Sequence, residues 1–160
     1  MIDIVNFQPK QNLFNFSKIY QFSDFKIVIG SDDQKNRKAV ENKNVDILMN
    51  PEKTRTTDFM HYRDSGLNQV LCKLAYQNKV AIGFNFNNVL KSKNRSLILG
   101  KMMQNVRLCR KYKVAMVICS GANNEWELRP QEDLKCFGIS IGMTPLEAKK
   151  ALNFEKKKVK

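Results

Sequence analysis

Ten cations and no carboxylate lie between Ser65 and Asn124: Lys73, Lys79, Lys91, Lys93, Arg95, Lys101, Arg107, Arg110, Lys111 and Lys113. A stretch of 60 residues without Asp or Glu forms no ion pairs within itself. Its field is left for an anion from outside, and nucleic-acid phosphate is the commonest intracellular polyanion that a folded basic patch meets. The charge is regional: outside this stretch eighteen basic residues face fifteen acidic ones, only +3 of the total +13.

Acid–base, metal and redox chemistry find little to work with. His61 is the only histidine, too few for a multi-histidine metal site, and it falls in a polar loop. Cys72, Cys109, Cys119 and Cys136 lack the two-residue spacing of a zinc knuckle or redox pair. They sit in apolar periodic segments, so all four are expected as reduced core residues. Asp3, Asp24, Asp46, Asp64, Glu125 and Asp133 are dispersed near strand ends and loops, a pattern of caps and ion-pair partners more than of a two-metal site. Ser120-Gly121-Ala122 ends a strand, but no Gly-x-Ser-x-Gly elbow surrounds it, and no phosphate-cradling glycine motif follows any strand. The expectation is a chain with no catalytic residue, no metal ligand and no bound cofactor of its own.

The elements that must carry these cations are helices and strands in alternation. Ile2–Phe7, Lys26–Gly30, Val45–Met49, Val80–Phe86 and Val114–Cys119 read as strands. The continuous apolar runs Val80-Ala81-Ile82-Gly83-Phe84 and Val114 to Cys119 suit a parallel sheet covered on both faces. Helices are predicted over Asn12–Phe22, Asp32–Asn42, Leu67–Asn78, 96–112, Gln131–Ile141 and Pro145–Leu152. Asp32 or Ser31 caps the second, and Thr144-Pro145 with Glu147 spells a capping box for the last. In 96–112, at 100° per residue, Ile98, Leu99, Met102, Val106, Cys109 and Tyr112 gather on one side and Arg107, Arg110 and Lys111 on another. Three such cations repel one another unless an anion relieves them.

The class is therefore α/β, built from βα units. Five strands are too few for an eightfold barrel, which leaves a partial barrel or an open doubly wound sheet. The 160 residues, 42% of them hydrophobic, suffice for one core. A single domain over 1–154 and a basic tail over 155–160 are expected. No run of about 18 apolar residues and no signal-peptide pattern occurs, so a soluble, intracellular chain is expected.

A string of motifs from Val45 onward resembles the archaeal ribonuclease P protein component 3, the relative of the eukaryotic thirty-kilodalton ribonuclease P subunit. It runs through Val45-Asp46-Ile47-Leu48-Met49-Asn50-Pro51, Arg63-Asp64-Ser65-Gly66, Val70 to Ala75, Val80 to Phe84, Lys111-Tyr112-Lys113-Val114, Ser120-Gly121-Ala122 and Trp126-Glu127-Leu128-Arg129-Pro130. Asp133-Leu134, Gly138, Gly142-Met143 and Ala148-Lys149 close it, in colinear order over about the last two-thirds of the chain. The resemblance implies a partial or shortened TIM-like barrel of the polymerase-and-histidinol-phosphatase type, without that type's metal-ligand histidines. It implies a non-catalytic, RNA-binding subunit of the endoribonuclease ribonuclease P. There the catalytic RNA, using magnesium, removes the 5′ leader of precursor tRNA, while this subunit pairs with protein component 2 alongside the other ribonuclease P proteins. Precursor tRNA is then an indirect partner, no membrane is involved, and an archaeal source makes the location cytoplasmic. A metal-dependent phosphoesterase on the same barrel is the alternative.

The family's basic positions fall on Arg63, Lys111, Arg129 and Lys149, with Asp133 in a supporting role, either orienting Arg129 or capping a helix. Lys73, Lys91, Lys101, Arg107 and Arg110 join them from the acid-free stretch, and all nine cations are expected to touch RNA or a partner. The sequence departs from the family in three ways: a region before Val45 shorter by about two βα units, Gln69 where histidine is usual with a longer Glu52–Tyr62 loop, and a proline displaced by one position at Pro130.

Overall fold

The computed structural model describes residues 1–155, so the run from Lys156 to Lys160, nearly all of the expected basic tail, lies outside the described residues. Six strands are present among them: β1 (Ile2–Val5), β2 (Lys18–Gln21), β3 (Ile27–Ile29), β4 (Ile47–Met49), β5 (Ala81–Asn85) and β6 (Met116–Cys119). Every ladder is parallel. β3, β4, β5 and β6 pair in that order, with Ile27 beside Ile47, Ile47 beside Ala81 and Ile82 beside Met116, while β1 pairs with β2. The two sheets meet where β1 crosses the end of β6: Gly121 donates to the Ile4 carbonyl (3.2 Å) and Asn6 to the Ala122 carbonyl (2.8 Å). Asp3 clasps the same junction, accepting from Ser120 N–H (2.7 Å) and Ser120 Oγ (2.5 Å). Burial pushes the Asp3 carboxyl up to about 6 against those hydrogen bonds.

The resulting order, β2-β1-β6-β5-β4-β3, is that of a partial barrel: β1 and β6 are joined by backbone bonds past the end of β6 with no ladder between them, and β2 and β3 do not pair. Strand alternation then gives two cores. Ile4, Ile47, Met49, Ala81, Val117 and Cys119 point inward with Phe25, and Tyr20, Ile27, Ile29 and Phe154 pack on them. Leu48, Ile82, Phe84 and Ile118 point outward into the helices, against Val40, Leu71, Cys72, Met102, Val106 and Leu134. Being buried on both faces is why these strands read as unbroken apolar runs. A fully buried strand residue such as Leu48 contributes about 1.5–3 kcal/mol.

The helices are α1 (Asp33–Glu41), α2 (Gln69–Gln77), α3 (Phe86–Lys91), α4 (Arg95–Tyr112), α5 (Gln131–Ser140) and α6 (Pro145–Ala151). Local chemistry fixes their starts. Asp32 accepts from Lys35 N–H, Asn68 from Leu71 N–H and Asn94 from Leu97 N–H, and Thr144 with Glu147 closes the expected capping box. α4 ends in the left-handed region at Lys113 (φ 57°).

The helix expected over Asn12–Phe22 is instead an irregular crossover followed by β2. The Asn12 side chain donates to the Phe16 carbonyl (2.6 Å) and accepts its N–H (3.0 Å), Asn15 takes φ 51°, and Ser17 N–H joins the Met1 carbonyl (2.9 Å). Asparagine side chains competing for the backbone override the helical spacing of the aromatics. α3 is a second difference: Asn85 Oδ1 accepts from Asn87 and Asn88 N–H, ending β5 before Phe86 and starting a short helix. Cys136 is exposed, unlike the other three cysteines, because it falls on the solvent side of α5.

Candidate nucleic-acid interface

α4 lies along α2, and its outward stripe carries Gly100, Gln104, Arg107 and Lys111 at three- and four-residue spacing. Arg107 and Lys111 are exposed, and neither has a carboxylate partner among the described residues. Lys111 Nζ lies 5.6 Å from the Tyr112 ring centre. Across a groove of about 410 Å³ it faces Lys73 and Tyr76 of α2, with Lys113 beside it. At the other end of the stripe stands Arg63, whose guanidinium lies over Gly100. A Cβ there would sit 2.3 Å from it, so the guanidinium rests in the space the glycine leaves and would have to shift for any larger residue. Arg63, Arg107, Lys111 and Lys73 thus come together on one flank.

The loop carrying Arg63 is folded down on α4 by a buried lysine. Lys101, expected to touch RNA, is 0% exposed. Its ammonium donates to the carbonyls of Arg55 (2.9 Å) and Thr57 (3.2 Å) and pairs with Asp58 Oδ1 (3.4 Å). Beneath it Glu52, also buried, accepts from Asn105 Nδ2 (3.2 Å), and burial pushes its carboxyl up to about 7. Arg55 bridges Asp33 (2.6 Å) and Asp64 (3.1 Å), while Arg63 reaches Asp58 at 3.6 Å. The Arg63-Asp64-Ser65-Gly66 string closes the loop against Asn50-Pro51. Asn36 Nδ2 donates to the carbonyls of both Pro51 (3.1 Å) and Gly66 (3.0 Å), and Gly66 at φ 74° lies so near the Pro51 carbonyl that no side chain fits. That motif is packing chemistry, and it places Arg63.

The remaining expected cations go elsewhere. Arg110 is a correction to the expected trio: it forks onto Glu147 (2.8 and 2.7 Å) and donates to the Gly142 carbonyl (2.7 Å), tying α4 to the α5–α6 turn. The anion that relieves it is the chain's own, and the arginine holds the Glu147 carboxyl down to about 2. Lys149 is exposed in the last turn of α6. Lys91 pairs with Glu127 at 2.7 Å and, with the Asn123 N–H, holds that carboxyl down to about 2. Arg129 donates to the Trp126 (3.0 Å) and Leu128 (2.6 Å) carbonyls and lies 5.9 Å from the Phe86 ring centre, beside a Trp126 that is 89% exposed. Those carbonyls, not Asp133, orient Arg129. Asp133 stands exposed in the first turn of α5, where a carboxylate favours the helix dipole, but its side chain makes no cap hydrogen bond and the N-cap position is Pro130.

At the C-terminal ends of the strands, where barrel enzymes hold their chemistry, the mouth is lined by amides. Asn6, Asn50, Asn85, Asn87, Asn88 and Asn123 surround a cleft of about 460 Å³ with Lys53, Lys91, Phe22, Ile29 and Gly121. Its lining contains neither imidazole nor carboxylate, and an amide is a poor ligand for the divalent metals of phosphoesterases. Sequence reasoning passed over Lys113, Phe59 and Tyr62 on the α4 flank. The acid-free stretch pointed to the first, but no local pattern points to the other two.

The family described as RNase P subunit p30 matches residues 2–159. Ribonuclease P protein component 3 of Methanococcus maripaludis is 39% identical over 131 residues, covering 81% of this chain and 53% of the relative. That of Methanosarcina mazei is 35% identical over 160 residues, 99% of this chain and 64% of the relative. The fold matches a chain of the cryo-EM structure of archaeal ribonuclease P with mature tRNA at a TM-score of 0.70 and 34% identity, over 79% of this chain and 52% of that one. The chain spans about half the length of the relatives first matched. Partial barrel of βα units, basic flank and colinear motifs agree with these matches: the chain belongs to the RNase P subunit p30 family.

Proposed function

We propose that this chain is a non-catalytic RNA-binding subunit of ribonuclease P that supports the catalytic RNA in removing the 5′ leader of precursor tRNA. The observation that carries the reading is the α4 flank, where Arg63, Arg107, Lys111 and Lys73 share a surface and only Arg63 has a carboxylate within reach. Such a surface neutralises phosphates and releases their counterions with little reading of base sequence. Magnesium in this reading belongs to the RNA, and the chain holds no cofactor. Protein component 2 and the other ribonuclease P proteins are its protein partners, and precursor tRNA is reached through the RNA. Lys91, Arg129 and Lys149 are assigned to contacts with RNA or component 2, with the bare Trp126 favouring the protein for Arg129. The work takes place in the cytoplasm. A phosphoesterase reading has no support at the amide-lined mouth.

The test is precursor-tRNA cleavage by ribonuclease P RNA and component 2 at limiting magnesium, with and without this chain. Stimulation by the wild type, lost in Arg107→Ala/Lys111→Ala and partly lost in Arg129→Ala with folding intact, supports the reading. No stimulation by the wild type overturns it.

A further inference from the structure

The Arg63–Arg107 end of the basic flank is not only charged. Phe59 N–H donates to the Tyr62 carbonyl (3.0 Å), closing a turn that stacks the two rings at 4.6 Å and 29°. Phe59 is nevertheless 51% exposed and Tyr62 62%, Met60 at the tip of the turn is 91% exposed, and Met103 of α4 adds 40% exposure. Phe59, Tyr62 and Met103 line a cleft of about 490 Å³ with Arg63 and Arg107. A cluster of bare apolar side chains on a strongly basic chain marks a surface that is covered in use. Asp58, the one carboxylate in the lining, is already held by Lys101 at 3.4 Å and Arg63 at 3.6 Å, so it does not oppose an incoming anion.

Resting on the RNA-binding reading above, we propose that this cleft receives an unpaired nucleotide of the RNA. Its base stacks on the outer face of the Phe59–Tyr62 pair, and its flanking phosphates meet Arg63 and Arg107. Aromatic faces recognise bases by stacking, whichever base it is, and arginine supplies both charge and a stacking plane. A duplex cannot use the cleft, because its bases already stack on one another and the deep groove of A-form RNA hides their edges. An apolar protein segment fits less well, since it would bury the Arg107 guanidinium, which has no carboxylate partner among the described residues, without supplying an acceptor. The backbone beyond the nucleotide then follows Lys111 and Lys73.

The experiment compares the full chain's binding to an RNA hairpin carrying one bulged 2-aminopurine with its binding to the same hairpin fully paired, by anisotropy at several salt concentrations. The bulged hairpin should bind about tenfold tighter, with a change in 2-aminopurine emission, as expected for one stacked base. Phe59→Ala/Tyr62→Ala should abolish the preference and the emission change while leaving the salt dependence, and Tyr62→Phe should retain both. Equal wild-type affinity for the two hairpins, or a preference that survives the double alanine variant, overturns the cleft. If the paired hairpin still binds with a salt slope that Arg107→Ala/Lys111→Ala reduces, the RNA reading stands without it. Binding to neither hairpin overturns both. Loss of component 2 binding in the double alanine variant, with the bulge preference intact, assigns the patch to protein and also overturns the proposal.

Discussion

The barrel mouth and the α4 flank divide the molecule's chemistry between them in the reverse of the usual arrangement. At the mouth, where loops after parallel strands ordinarily converge on a reactive centre, asparagines bind one another and the backbone: Asn50 Oδ1 accepts from Asn85 N–H (3.3 Å), and Asn87 Nδ2 donates to the Gly121 carbonyl (3.3 Å) and to Glu127 (2.8 Å). On the flank, which in such a barrel is only an outer wall, Arg107, Lys111 and Lys73 have no carboxylate partner among the described residues and the Phe59 and Tyr62 rings are more than half exposed. The mouth's amides are uncharged and mostly bound within the chain, with Asn87 Oδ1 and Asn88 Nδ2 left over, whereas the flank's unmatched groups are full charges and apolar rings. A surface with unmet electrostatic and apolar demand is the one that requires a partner, so the fold serves here as a rigid mount for an outside face.

The largest effect that sharpens the comparison concerns what lies under the flank. Lys101→Ala should destabilise the chain by about 3 kcal/mol, because Asp58 and two carbonyls lose a buried cation, and trypsin should then cut in the loop at Arg55. A urea midpoint with an unchanged slope, together with the cleavage pattern, checks this. Next, Arg107→Ala/Lys111→Ala should lower the slope of log affinity against log salt for RNA by about 1.4–1.8, two phosphate contacts' worth. An unchanged slope would place the RNA elsewhere.

A third test uses pH. The Glu52 and Asp3 carboxyls, held up at about 7 and 6 from ordinary values of 4.5 and 3.8, keep their protons in the folded chain where the unfolded chain has released them. Stability is therefore full below pH 4 from these two groups and declines as pH rises through 7. Glu127 and Glu147, held down at about 2, act in the opposite sense: their contribution is present above pH 4.5 and lost as pH falls through 2. Melting temperature should thus fall between pH 5 and 7 in the wild type and fall less in Glu52→Gln. The smallest effect belongs to the mouth. Asn88→Ala removes an Nδ2 without a partner and should change stability by less than about 0.5 kcal/mol, with RNA affinity untouched. A large loss of cleavage stimulation in Asn88→Ala would break the division between mouth and flank.

Most of the barrel was legible because its strands are apolar on both sides and its helices carry standard caps. Strands β3 to β6 and helices α1, α2, α4, α5 and α6 lie within a few residues of the sequence reading. β2 was not legible, since Asn12 and Asn15 act through backbone bonds and a left-handed turn that no periodicity records. In the candidate site, Arg107 and Lys111 followed from spacing on a helix. Lys101 was misread although the same wheel places it within about 20° of Tyr112, at the edge of the apolar side: its charge was counted and its angle was not. Arg110 was misread because Glu147 is 37 residues away. Phe59 and Tyr62 belong to a turn whose place on α4 depends on Lys101, a tertiary contact that spacing along the chain does not encode.

The unpaired seam between β2 and β3 gives the barrel a fixed place to open. Only five residues, 22–26, join these strands, no ladder runs between them, and the Phe25 ring packs beside this seam, 5.0 Å from Tyr20 and 6.0 Å from Phe154. β2 and β3 are only partly buried, whereas Ala81–Phe84 of β5 is buried throughout. Their amides should exchange with solvent first, ahead of global unfolding, while β5 exchanges only with it. Breathing is therefore directed away from α4, and the cations on that helix keep their spacing while the far wall of the barrel loosens.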